Sequence, residues 1–119
     1  MSRRNYSNGD GRALASRLRR RVRIETPVEV SDGMGGTVRN WQLLAEAWAE
    51  ISPLRGREAL AQFQLESQIS HRIVLRWRAN LDASMRVVHG GRVFNIRAVL
   101  NVNEADRMLE VLAEEGGAV

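Results

Sequence analysis

The sequence predicts a mainly β domain built on antiparallel strands, and three observations carry that reading. Ile69, His71, Ile73, Leu75 and Trp77 alternate with Ser70, Arg72, Val74, Arg76 and Arg78, and period two is the pattern of a strand with one apolar face. Further on, β-branched runs around Val87-Val88 and Val93 to Val99 are broken by His89-Gly90-Gly91-Arg92. A Gly-Gly pair between such runs is a hairpin turn, because glycine takes positive φ without steric cost. The third is Ser31-Asp32-Gly33-Met34-Gly35-Gly36, the strongest turn signal in the chain.

Composition narrows what such a domain does. At 119 residues the chain makes one domain that buries about two-thirds of its unfolded surface. With no cysteine it has no thiol chemistry and needs no disulfide. No apolar run approaches the length that spans a membrane, and the N-terminus has no apolar leader core, so no membrane partner is expected. The formal charge of +4 is unevenly spread: residues 1–24 carry +7 and the last sixteen carry −4. A basic head and an acidic tail suit nucleic-acid contact or head-to-tail contact between copies. All eighteen basic residues are arginine; a GC-rich coding sequence explains that bias as well as bidentate phosphate binding does.

Taken in order, residues 1–11 are polar and aperiodic and read as a flexible arm. From Arg17, Leu18, Val22 and Ile24 oppose Arg17, Arg19, Arg21 and Arg23, a first strand with one very basic face. Pro27 ends that strand or holds it at a sheet edge. Residues 37–51 fit two templates. Trp41, Leu44, Ala45, Trp48 and Ile51 make a helical stripe behind an Asn40 cap, whereas Trp41, Leu43, Ala45, Ala47, Ala49 and Ile51 alternate. Local evidence leans slightly to helix. Ser52-Pro53 stops the element, and Glu58 to Glu66 is a short, marginal helix inside a long mid-chain loop. After the three-strand scaffold come a polar turn at 101–106 and a last strand or short helix from Met108, closed by Gly116-Gly117. The expected core includes Trp48, Ile73, Leu75, Val87, Phe94 and Ile96.

No catalytic constellation emerges, and no cofactor is implied. His71 sits on an apolar strand face and reads as a hydrogen-bonded core or interface imidazole; His89 flanks a turn. Neither has metal-ligand spacing to another His, Asp or Glu. Gly33-Met34-Gly35-Gly36 lacks the Lys-Ser/Thr of a phosphate loop. Arg72, Arg76 and Arg78 share a strand face beside Trp77, which keeps open a small oligonucleotide-binding-like barrel for single-stranded nucleic acid. A solvated or subunit-facing arginine stripe is the plainer reading.

With these residues in view, the chain resembles the head-closure (stopper, or head-tail joining) proteins of long-tailed bacteriophages and gene-transfer particles. The resemblance rests on Arg17 to Val22, Asp32 to Thr37, Trp41 with Trp48 and Ile51, Pro53 to Glu58, Ser70-His71-Arg72-Ile73, Met85-Arg86-Val87 and Gly91 to Ile96. It covers about residues 12–113, with Ser70 where the family usually has Thr. The resemblance implies a small antiparallel β-barrel or sandwich over residues 12–114, a strand at Ala45–Ile51 in place of the helix, and a C-terminal tail at 115–119. It implies that residues 53–68 are a stopper loop, with Leu54, Arg55, Gly56, Arg57, Glu58, Phe63 and Gln64 facing the channel of a ring of six or twelve copies. Folded back on itself, that span reaches roughly 25 Å at strand rise. Arg55, Arg57, Arg72 and Arg76 are then candidates for DNA phosphate, and Arg17, Arg19, Arg21 and Arg23 for subunit or adaptor contacts. The implied partners are portal and adaptor proteins above, a tail terminator or tail tube below, and packaged double-stranded DNA. The implied place is the particle neck, assembled in the bacterial cytoplasm.

Overall fold

Alternation along each strand becomes an inside–outside split once the strands close on themselves. The computed structural model describes residues 14–54 and 69–119. In them a one-turn helix, α1 (Leu14–Arg17), leads into β1 (Arg20–Ser31) and β2 (Thr37–Pro53). β3 (His71–Arg76), β4 (Arg86–His89), β5 (Arg92–Asn101), a 3-10 turn (Val102–Glu104) and β6 (Met108–Glu115) follow. All pairings are antiparallel, and the order β1-β2-β3-β6-β5-β4 closes a barrel.

The interior takes the apolar member of each alternating pair. Val22 and Ile24 from β1, Ile73 and Leu75 from β3, Phe94 and Ile96 from β5 are at most 1% exposed. Ala49 and Ala113 stand among them, small side chains that leave room for Phe94 in a barrel whose interior must be filled. A second, smaller cluster lies on the outer face, where Leu18 packs on Val74 and Met108. It interrupts the expected arginine stripe: Val74, between Arg72 and Arg76, is covered.

Two expectations are corrected. Residues 37–51 are strand, not helix, because Val22 and Ile24 offer a sheet edge that a helix could not satisfy. Trp48 is not core. It is 52% exposed, because Ala45, Ala47, Ala49 and Ile51 take the inward positions. Trp48 points outward opposite Arg21, whose guanidinium lies 5.2 Å from its ring. Pro27 does hold an edge: β1 continues through it to Ser31, but pairs with β4 only at Arg23–Glu25.

Beyond that point β1 and β2 run on as a two-stranded ribbon. β2 meets β3 only from Ala49 to Pro53, so among the described residues both ribbon edges are unpaired. A register shift between Ile24 and Glu25 marks where the ribbon leaves the barrel, as a bulge does. Its tip is the Asp32 turn: Asp32 Oδ1 accepts the Met34 N–H at 2.7 Å and the Gly36 N–H at 3.1 Å. Gly33 and Gly35 supply φ of +81° and +88°.

Candidate functional site

The end of the barrel opposite the ribbon is where the chain leaves and returns around residues 55–68. The Leu54 N–H donates to the Ser70 carbonyl at 2.9 Å, and the Ser70 N–H donates to the Ala113 carbonyl at 2.9 Å. Both ends of the segment are thus stitched side by side onto the barrel. Leu54 is half-buried; Arg55, Gly56, Arg57, Glu58, Phe63 and Gln64 lie outside the described residues.

Beside this point a cleft of about 620 Å³ is lined by Arg20, Ile51, Pro53, His71, His89 and Arg92. His71 continues the inward row of β3, and its ring meets Phe94 edge-on at 5.0 Å. Ser70 Oγ accepts the Glu115 N–H at 2.9 Å and lies 2.9 Å from His71 Nδ1. Its hydroxyl hydrogen is then free for Nδ1 in the tautomer that leaves that nitrogen unprotonated. Burial lowers the His71 pKa below 6.5; Glu115 opposes that shift and Arg92 adds to it. Arg92 grips Glu115 with two hydrogen bonds, at 2.9 and 3.1 Å, and holds that carboxyl below its ordinary range. This cluster ties β3, β5 and β6 together at the mouth of the barrel. It acts as a structural lock.

The arginines singled out from sequence divide by partner. Arg17 pairs with Glu50 at 2.7 Å, Arg21 with Glu46 at 3.3 Å and Arg23 with Glu25 at 2.8 Å. Arg19 donates to the Ser16 carbonyl at 3.0 Å, and Arg72 pairs with Glu110. Arg76 is exposed and makes no ion pair among the described residues. Three of the four arginines expected to form the basic face, Arg17, Arg21 and Arg23, are therefore paired with acids within the chain, two of them with β2 carboxylates.

Two features escaped the sequence reading. At the ribbon root, Arg86 is buried and donates to Glu25 Oε1 at 2.7 Å, while its guanidinium lies 4.2 Å from the Trp41 ring. Arg86 also donates to the Ala118 carbonyl at 3.2 Å, so the C-terminal tail braces the same knot. Beside the root, where β3 ends and β2 runs on alone, Trp48, Trp77, Arg76 and Arg78 line a groove of about 240 Å³. The sequence reading put Trp48 in the core and Trp77 in the apolar row of Ile73 and Leu75, so nothing signalled that both would be exposed and share a groove; β3 stops at Arg76 and frees Trp77 from the alternation. Among the described residues, no three His, Cys, Asp or Glu gather to hold a metal, and no helix is long and apolar enough to cross a membrane.

Comparison with known proteins gives one consistent result. Residues 14–116 match the family described as phage head completion protein. Head completion protein gp7 of Enterobacteria phage HK97 is 33% identical over 105 residues, covering 84% of this chain and 94% of the phage protein. The solution structure of a Shigella flexneri 2a protein superposes with a TM-score of 0.71 at 29% identity, over 87% of this chain and 97% of that one. A chain from the virion of a native gene transfer agent particle superposes with a TM-score of 0.62 at 30% identity, over 84% and 96%.

Proposed function

Because the chain belongs to the phage head completion protein family, a structural rather than an enzymatic family, we propose that it completes the head of a tailed phage or gene-transfer particle as a stopper. Copies form a ring between portal or adaptor and tail, and residues 55–68 enter the channel to hold packaged DNA until release. The observation that carries this is the Leu54–Ser70 hydrogen bond at 2.9 Å. It returns the chain to its point of departure, so the segment between can be long without disturbing the barrel. Loop length is cheap in closure entropy once the ends are fixed. Arg20, which makes no ion pair among the described residues, and Arg76 add positive charge available to DNA phosphate.

The test is nuclease-protected DNA per particle. Deleting Glu58–Glu66 should leave the barrel folded and necks assembled, with particles that fill and then lose their DNA. Replacing Arg55 and Arg57 with Ala should leave the plug's bulk and weaken retention mainly as salt rises. Full retention by the deletion variant with intact necks would remove the stopper mechanism.

A further inference from the structure

The ribbon carries an apolar row that nothing covers among the described residues, with Asn40 beside it as the cross-strand mate of Val28. Residues paired across an antiparallel ribbon share a face, so Val30 and Val38, which are partners, lie in one row with Val28. That row continues the inward positions of Val22 and Ile24 past the point where the barrel ends. Inside the barrel these positions are fully buried; in the ribbon Val30 is 41% and Val38 48% exposed, and Met34 at the tip is 85% exposed. Core-type side chains have been carried on a two-stranded ribbon into solvent.

A complementary surface lies elsewhere on the same chain. The groove between Trp48 and Trp77 has an apolar floor, and its rim carries Arg76 and Arg78 together with Arg21 and Glu46, which pair with each other at 3.3 Å. Neither Arg76 nor Arg78 has an acidic partner among the described residues, and Arg78 Nε is buried without a hydrogen bond. With Glu46 held by Arg21, the ribbon offers carboxylates to the two arginines left over. Glu29 is exposed and makes no ion pair among the described residues, Asp32 sits in the tip turn, and Met34 has a flexible thioether suited to aromatic walls. The groove lies beside the root of its own ribbon, and the tip is about 20 Å further along paired strands at strand rise. Tip and groove therefore cannot meet within one copy.

We propose that the ribbon tip of one copy, with Met34 and the Val30–Val38 pair, docks in the Trp48–Trp77 groove of a second copy, with Glu29 and Asp32 facing Arg76 and Arg78. The contact joins two different surfaces, so it is heterologous, and repeated around an axis it closes a ring. The proposal rests on the ring reading above and names the surfaces that would build the ring.

The chain has no cysteine, which makes cross-linking clean. Met34→Cys and Glu46→Cys place one thiol at the tip and one at the groove wall, both at exposed positions. Oxidation of the double variant, in assembled particles and in purified protein, should give a ladder of covalent multimers ending at the ring's copy number. Mixed single variants should give heterodimers, and Met34→Cys alone should give none. Trp77→Ala in the double variant should reduce the ladder at least tenfold with an unchanged melting temperature. Glu29→Arg and Arg76→Glu should each weaken the ladder, and together restore it. Rings without the 34–46 cross-link would overturn the docking and leave the ring reading standing. Neither rings nor cross-link would overturn both. Efficient Met34→Cys self-dimers would show a symmetric tip-to-tip contact and overturn the proposal. So would a ladder abolished by a short single-stranded oligonucleotide that quenches tryptophan fluorescence, since the groove would then be a nucleic-acid site.

Discussion

The same two strands, β1 and β2, are a barrel wall over one half of their length and a free ribbon over the other. In the wall, Val22, Ile24 and Ala49 are fully buried, and each strand has a partner on both edges. In the ribbon, residues 31–40 are all exposed and, among the described residues, each strand has one partner. Strand-forming chemistry is common to both halves, with Val28, Val30 and Val38 as β-prone as Val22. The difference is therefore not local propensity but neighbours: β4 and β3 stop, and β1 and β2 go on. Burial sets the stability of the wall, while the bulge after Ile24 and the Glu25–Arg86–Trp41 knot set the direction of the ribbon. A protein built this way can change its reach without changing its core.

That contrast can be broken by measurement. Amide exchange should differ most. Ribbon amides at 28–31 and 37–40 should exchange at least roughly a hundredfold faster than those of 73–75 and 94–96, because local opening of a two-stranded ribbon exposes little apolar surface. Equal protection in the isolated chain would mean that something already covers the ribbon. Next in size, Phe94→Ala should cost about 3–5 kcal/mol in urea unfolding, whereas Val38→Ala should stay within about 0.5 kcal/mol. A large loss at Val38 would place it in a core that the monomer does not have. Between these limits lies the knot at the root. Arg86→Leu leaves the buried Glu25 with Arg23 alone and should cost about 3 kcal/mol; an unchanged urea midpoint would show that the ribbon's root does not rely on the pair.

The barrel was legible where each strand has one apolar face, and illegible where that face changes meaning. Ile73, Leu75, Val87, Phe94 and Ile96 alternate within short strands, so their burial followed from period two. Trp48 misled because size is a weaker guide than parity: the inward row of β2 is written in alanines, which carry little hydrophobic signal beside a tryptophan. The ribbon was hidden for a related reason. The pairs Val30–Val38 and Glu29–Arg39 flank the glycine turn symmetrically and announce a hairpin, but nothing in them says that β3 and β4 will end short. The resemblance to head-closure proteins supplied the strand at Ala45–Ile51, which local periodicity left undecided. The cluster of His71, Arg92 and Glu115 could not have been assembled by spacing at all; closure of the barrel brings β3, β5 and β6 together there.

The smallest expected effect tests that closure through pH. His71 has a folded pKa below 6.5 because burial disfavours its charged form. Above 6.5 the imidazole is neutral in both folded and unfolded chains, and its contribution is fully present. As pH falls from 6.5 through the folded value, the unfolded chain takes up a proton that the native state resists, so stability is lost on acidification. One proton limits the slope to about 1.4 kcal/mol per pH unit. Glu115, also lowered, acts in the same direction but only below its ordinary 4.5, so the two windows separate. Urea midpoints measured from pH 7.5 to 5 should fall for the wild type and fall less for His71→Gln, which keeps hydrogen-bonding capacity and does not titrate. The Phe94→Ala chain should show the weaker dependence too if the aromatic contact at 5.0 Å is what keeps the imidazole dry. Val38→Ala should keep the wild-type slope, because Val38 lies in the ribbon, far from His71, and the ribbon holds no histidine. Parallel curves for wild type and His71→Gln would show that the mouth of the barrel is open to water, and that the wall is not closed at the end where the chain departs after Leu54.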